Sequence, residues 1–283
     1  MIADLPEAAE PDPNCTHCRG EGIIVEQTSE FAVARLCECI PTCPRCGGGG
    51  RVFIQTDEGT RTGRCRCQML PDRIGLFNRA GIPGRFADAT LVSFSRGATQ
   101  VGDDAKFKAF VEVSHWLGKF EPRRENKGLI LHGRVGRGKT HLMVALLRSL
   151  ILQHGVEARF VEFSRLLSML KEGYSTGRSD TLLLGELAAV PVLGIDELGK
   201  GRLTDWELQV IDEVISRRYN GMNTTLGTSN FRPGAFTGAE PPNAASTTAA
   251  TQTLGDRVGD RVYSRLRQMT GFVELGGLDF REL

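Results

Sequence analysis

Short apolar runs alternate with amphipathic stretches through the second half of this chain. Gly128-Leu129-Ile130-Leu131, Ala158 to Phe163, Val190 to Ile195 and Thr224 to Asn230 read as buried strands. Between them, His141 to Leu147, Ser164 to Lys171 and Thr181 to Leu187 repeat apolar residues at helical spacing. Thr204-Asp205-Trp206-Glu207 is a capping-box sequence that starts a further helix, with Leu208, Ile211, Val214 and Ile215 on one face. Such alternation predicts an α/β fold, a parallel sheet flanked by helices. Upstream, Asp103 to Phe120 reads as an amphipathic helix whose core side carries Phe107, Phe110, Val111, Trp116 and Leu117.

The first 67 residues follow another pattern. Ile23-Ile24-Val25 faces Phe31-Ala32-Val33, and Val52-Phe53-Ile54 faces Arg61 to Arg64 across an Asp57-Glu58-Gly59 turn, which predicts two β-hairpins. Cysteines bracket each one. Cys15-x-x-Cys18 is followed after 18 residues by Cys37-x-Cys39, and Cys43-x-x-Cys46 after 18 residues by Cys65-x-Cys67. Both units open as C-x-x-C-x-G-x-G, a tight knuckle that aims two thiolates at one point, and the hairpin returns the C-x-C pair to it. The spacing predicts two closed Cys₄ zinc sites, structural rather than catalytic. Cys37, Cys39, Cys43 and Cys46 are also close enough in sequence to share a site. Units this short cannot bury a core, so metal would supply the folding energy, roughly 10–16 kcal/mol per site in comparable peptides.

Charge sharpens the picture locally. The net charge of +1 gives no global attraction to nucleic acid or membrane. Residues 1–14 hold Asp4, Glu7, Glu10 and Asp12 with no Lys or Arg, an acidic disordered tail unlike a signal peptide. No apolar run approaches the ~20 residues that span a bilayer, so no membrane partner and a cytoplasmic location are expected. In that compartment cysteines are metal ligands more often than disulfides. From Cys15 to Cys39 two Arg face four Glu, net −2. From Cys43 to Cys67, Arg45, Arg51, Arg61, Arg64 and Arg66 outweigh Asp57 and Glu58, net +3. The second unit therefore suits a phosphate backbone or an acidic partner, and the first a protein; the alternative is two solvated hairpin faces.

The strand at Gly128–Leu131 runs into Gly133-Arg134-Val135-Gly136-Arg137-Gly138-Lys139-Thr140, a complete G-x-x-x-x-G-K-[ST] loop, and His141 opens the helix behind it. Backbone N–H groups and the helix N-terminus would cradle phosphate. Lys139 would reach the β/γ-phosphates and Thr140 would ligate Mg²⁺. The strand ending at Ile195 delivers Asp196-Glu197, where Asp196 would hold Mg²⁺ through water and Glu197 would polarise the attacking water. Asn230 ends the next strand and could orient that water. These residues predict ATP binding and hydrolysis.

Taken with Gly81-Ile-Pro-Gly-Arg-Phe-Ala-Asp-Ala-Thr, Asp196-Glu-Leu-Gly, Asp212-Glu-Val-Ile-Ser-Arg-Arg-Tyr-Asn-Gly and Thr228-Ser-Asn, the chain from about residue 80 to 283 resembles the DnaC/DnaI/IstB group of AAA+ ATPases. The group contains bacterial replicative-helicase loaders and transposition helpers. The resemblance implies an AAA+ P-loop core over 126–283, preceded by a linker and N-terminal helix over 69–125 and by the β-hairpin zinc module over 15–68. It implies Walker A at Gly133, Gly138, Lys139 and Thr140, Walker B at Asp196-Glu197, sensor 1 at Asn230, and an arginine finger at Arg265 with Arg261 in reserve. Arg281 is the sensor 2 candidate. The finger implies self-association, because it reaches a neighbouring subunit's γ-phosphate. The implied partners are a DnaB-type hexameric helicase, bound through the zinc module, and single-stranded DNA, with Arg165, Lys171 and Arg178 as backbone contacts. The doubled zinc unit departs from the single site seen in some loaders. Residues 232–253, rich in Pro, Gly, Ala, Ser and Thr, read as a disordered loop. A transposition helper and an ATP-gated zinc adaptor are the competing readings.

Overall fold

The computed structural model describes residues 8–56, 59–100, 102–176, 180–201, 204–235 and 252–279. Two antiparallel hairpins come first. β1 (Ile23–Gln27) pairs with β2 (Ala32–Leu36), Val25 opposite Ala34. β3 (Arg51–Thr56) pairs with β4 (Gly59–Arg64), Phe53 opposite Thr62. The hairpins have different fates. Strand alternation turns Ile23, Val25, Ala32 and Ala34 to one side, where they join the core that holds Phe77, Phe94 and Leu146. That face rests on α1 (Met69–Arg79) and a 3₁₀ turn (Gly84–Phe86). Ala34 N–H donates to Asn78 Oδ1 at 2.7 Å, and Asn78 Nδ2 returns a bond to Ala34 O at 3.0 Å. Ala32 N–H donates to Ile82 O at 2.8 Å. The first unit thus faces its own chain. The second buries Val52 with Cys43 and Cys65 in a small separate cluster, against Ala8 and Ala9.

α2 (Leu91–Gln100) and α3 (Asp104–Gly118) complete one helical layer. The inward face of α3 differs from the sequence expectation. Lys106, Ala109, Val113 and Leu117 are buried, whereas Phe107 and Val111 are exposed. Lys106 is drawn inward by Asp103, the helix N-cap, whose carboxylate lies 3.4 Å from its Nζ, and its aliphatic stem packs like an apolar side chain. Phe110 and Trp116 pack half-buried at the margin of the core, with Trp116 Nε1 donating to Lys127 O at 2.7 Å.

The sheet comprises β5 (Gly128–His132), β6 (Ala158–Glu162), β7 (Val192–Asp196), β8 (Thr224–Ser229) and β9 (Thr270–Glu274). Its order is β6-β7-β8-β5-β9, and every pairing is parallel. α4 (Lys139–Leu152) lies between the sheet and α1–α3, which is why it is apolar almost all round. The other layer contains α5 (Phe163–Thr176), α6 (Asp180–Ala189), α7 (Asp205–Asn220), α8 (Leu254–Val258) and α9 (Asp260–Met269). Leu166, Ile211, Val214 and Leu266 form its core. The stretch from Asp256 to Arg267 is two helices, not one: Gly259 at φ 81° breaks it.

Arg218 of α7 is wholly buried and ties the link between α6 and β7 to the start of β8. Its guanidinium donates to Leu187 O and Val190 O at 2.8 Å and to Thr225 Oγ1 at 3.0 Å, and also to Thr224 O. Burial pushes its pKa down to about 9. Most of the expected 232–253 loop and all of residues 1–7 lie outside the described residues. No helix among the described residues is long and apolar enough to cross a membrane.

Candidate nucleotide site and two four-cysteine clusters

Parallel sheets place their chemistry beyond the carboxyl ends of the strands, and here β5, β7 and β8 end at one cavity of about 580 Å³. Val135, Gly136, Gly138, Lys139, Thr140 and His141 line it from the loop side, opposite Asp196, Glu197, Thr228 and Asn230. Gly133, Arg134 and Arg137 complete the loop outside the cavity wall. Gly133 permits a close approach to the chain leaving β9, because a Cβ there would collide with Leu275 O. Gly136 and Gly138 adopt φ 80° and 87°, which L side chains rarely reach. Lys139 Nζ donates to Gly133 O at 2.8 Å and Arg134 O at 2.7 Å, so the ammonium is held inside the loop.

Asp196 is 2% exposed. Its Oδ1 accepts from Thr140 Oγ1 at 2.9 Å and from Thr228 Oγ1 at 2.5 Å. Burial pushes this carboxyl above the ordinary range, while the two hydroxyls pull against the shift. A hydroxyl and a buried carboxylate at this distance are the hard oxygen donors that Mg²⁺ takes. Glu197 sits at φ 57°, a left-handed backbone uncommon outside glycine, and its side chain forms an ion pair with Lys200. Its N–H donates to Thr228 Oγ1 at 2.9 Å.

The sequence reading missed the far wall, which is built by Arg85, Phe86, Ser93, Phe94 and Gly97. His141 reaches across to it: Nε2 lies 3.0 Å from Ser93 Oγ and the ring 5.9 Å from Phe94. Burial lowers the His141 pKa, favouring a neutral ring against this largely apolar wall. Arg85 stacks over Phe86 at 4.9 Å. Also missed was Asp279, whose carboxylate lies directly against Gly136, where a Cβ would otherwise fall. Leu278 N–H, donating to Asp103 Oδ2 at 2.7 Å, fixes that end of the chain.

Arg165, Arg261 and Arg265 are not among the residues that line this cavity. Arg265 Nη1 donates to Asp212 Oδ1 at 2.9 Å and Ser216 Oγ at 2.7 Å, so it is tied to α7. Arg261 is more exposed, 3.6 Å from the same Asp212. Arg281 and Arg178 lie outside the described residues. Arg165 pairs with Glu30 of the first hairpin at 2.6 Å, and Lys171 lies 5.0 Å over the Trp206 ring. Both of these side chains therefore already have partners within the chain.

The cysteines assemble into two clusters, Cys15, Cys18, Cys37, Cys39 and Cys43, Cys46, Cys65, Cys67, each with all sulfurs within 4.8 Å of one another. The sharing of one site across the two units does not occur. Cys15–Cys37 and Cys18–Cys39 sulfurs are 3.7 and 3.5 Å apart, and Cys43–Cys65 and Cys46–Cys67 are 3.8 and 3.5 Å apart. A tetrahedron with zinc–sulfur bonds of about 2.3 Å has comparable edges, so the donor sets fit Zn²⁺. Hydrogen bonding from the Cys18 backbone lowers the Cys15 thiol to about 6, whereas desolvation raises Cys39 to about 12. In the second cluster, the Ala9 backbone lowers Cys43 to about 6 and desolvation raises Cys67 to about 12. Four thiolates crowded together need a cation to remain ionised.

Comparison with known proteins agrees with this geometry. A family model described as IstB-like ATP binding protein matches residues 116–238. The replicative helicase loader DnaC of Escherichia coli (strain K12) is 25% identical over 189 residues, 66% of this chain and 67% of that protein. A crystal structure of the DnaC helicase loader superposes with a TM-score of 0.54 and 28% identity, covering 68% of this chain and 99% of that one. Over its nucleotide-binding core this chain is similar to the DnaC/DnaI/IstB group of AAA+ ATPases. The replicative helicase loader DnaI of Bacillus subtilis (strain 168) is 26% identical over 140 residues, 47% of this chain but only 42% of that protein. The matched segment contains the loop, Asp196-Glu197 and Asn230, which meet at one cavity.

Proposed function

We propose that this chain is an ATP-driven switch that loads a DnaB-type replicative helicase onto single-stranded DNA. The observation that carries the reading is the joint placement of Lys139, Thr140, Asp196 and Glu197 around one cavity, in a chain whose relatives are named helicase loaders. In this reading Lys139 leaves its carbonyl partners for the β/γ-phosphates, while the loop N–H groups bind the triphosphate. Thr140 directly and Asp196 through water would hold Mg²⁺, which would neutralise phosphate charge. Glu197, freed from Lys200, accepts a proton from water that Asn230 orients. Phe86 and Phe94 offer faces to the base. Arg265, or Arg261, acts on the γ-phosphate of a neighbouring copy, so hydrolysis requires self-association; Arg281 is proposed as sensor 2. The first cysteine unit, the one expected to face a protein, would engage the helicase.

ATP-dependent co-purification with a replicative hexameric helicase from the same source tests this. Capture should require ATP and be lost in Lys139→Ala. Absence of capture, with ATPase activity stimulated by duplex DNA, would instead support a transposition helper, the reading favoured by the IstB-like family match.

A further inference from the structure

We propose that the outer face of the second cysteine hairpin is a binding site for single-stranded DNA. The β3–β4 register decides which side chains share that face: Arg51, Phe53 and Gln55 from one strand, and Thr60, Thr62 and Arg64 from the other. All six are exposed. The opposite face is the one that buries Val52 against Cys43 and Cys65. Phe53 is 75% exposed, with Thr62 across from it and the Arg51–Arg64 pair one step nearer the metal cluster.

An open ring beside guanidinium groups matches how sequence-tolerant single-strand binders work: bases stack on the aromatic face while cations follow the phosphates. Five arginines lie between Cys43 and Cys67, and Arg66 is exposed beside the same strand end. Arg64 also pairs with Asp72 of α1, which tethers the hairpin base to the body. A protein groove is a poorer occupant. Ile54, the other exposed apolar residue of β3, points to the opposite face, so Phe53 belongs to no broad apolar patch. Duplex DNA is poorer too, since its base faces are stacked. The first hairpin has no equivalent surface, being net negative and docked on its own chain. This site requires neither the nucleotide cavity nor a helicase, so it stands or falls separately from the loader reading.

The test uses the full zinc-loaded chain without nucleotide, with a fluorescent oligothymidylate read by anisotropy and zinc content measured alongside. Phe53→Ala should weaken binding about tenfold, and Phe53→Trp should retain it. Arg51→Gln should reduce the slope of log affinity against log salt by about 0.7, one phosphate contact fewer. Unchanged affinity in Phe53→Ala at full zinc content would overturn the proposal. So would a blunt duplex that binds as tightly as the single strand and is weakened equally by Phe53→Ala.

Discussion

Thr228 Oγ1 donates to Asp196 Oδ1 at 2.5 Å and accepts the N–H of Glu197 at 2.9 Å. One hydroxyl on β8 thereby fixes both acids at the end of β7, and couples the strand that leads into Asn230 to the proposed Mg²⁺ ligand. Thr228→Val keeps the shape and removes both bonds, leaving a buried carboxylate short of a donor. The expected cost is about 1–3 kcal/mol of stability. Hydrolysis should fall more than nucleotide affinity, because Glu197 loses its backbone anchor while the phosphate loop is untouched. Thermal melting, ATP turnover and titration with a fluorescent nucleotide check this; unchanged turnover would refute it.

Asp279 sets a negative charge against the phosphate loop at Gly136. A bound triphosphate would meet that charge, so Asp279→Asn should tighten ATP binding severalfold, a Coulomb effect on the order of 1 kcal/mol. Calorimetric titration at two salt concentrations is the check, with the gain shrinking at high salt. Equal affinity of the two forms at low salt would show that the carboxylate does not oppose nucleotide.

The two four-cysteine units should respond differently to loss of their sulfurs. Cys15→Ser with Cys18→Ser loosens a hairpin whose Ile23, Ala32 and Ala34 belong to the main core, and whose Glu30 holds Arg165. It should lower the melting temperature of the whole chain and weaken nucleotide binding. Cys43→Ser with Cys46→Ser releases a hairpin whose buried side chains, among the described residues, form a small separate cluster joined to α1 by the exposed Arg64–Asp72 pair, and should change both much less. Differential scanning fluorimetry with and without ATP separates the cases. Equal destabilisation by both pairs would contradict the packing difference.

Local signals carried most of this site. The loop, the Asp196-Glu197 strand end and the paired cysteine spacings are contiguous motifs whose geometry follows from a few residues, and Thr204 with Glu207 does form its capping box. What escaped was tertiary. Nothing local in Phe86, Phe94 or Gly97 marks them as a wall of the cavity, since α2 reaches it only by folding over α4. Asp279 lies far along the chain from Gly136 and meets it only because β9 pairs with β5. The face of α3 was misjudged because apolar spacing was weighed without the pull of Asp103 on Lys106. The docking of the first hairpin was hidden for a similar reason: its charge balance said nothing of the Asn78 and Ile82 contacts.

His132, at the end of β5, is pushed below its ordinary pKa, mainly by burial. Glu274 on β9 opposes the shift and Lys139 on α4 adds to it, and the Phe272 ring lies 6.5 Å away. The unfolded imidazole titrates at about 6.5, so its contribution is complete above that pH and is lost as pH falls towards the lower folded value. His132→Gln should flatten the fall in melting temperature as pH drops below about 6.5. Parallel curves for the two proteins would exclude His132 as a source of the acid sensitivity.

In the proposed loader role, nucleotide drives placement of a helicase ring on DNA. A closed circular single strand offers no free end for threading, so helicase retained on it after a high-salt wash must have been loaded by ring opening. Retention should need this chain and ATP, and should be abolished by Lys139→Ala. Retention that is equal without the chain, or with the Lys139→Ala form, would contradict it.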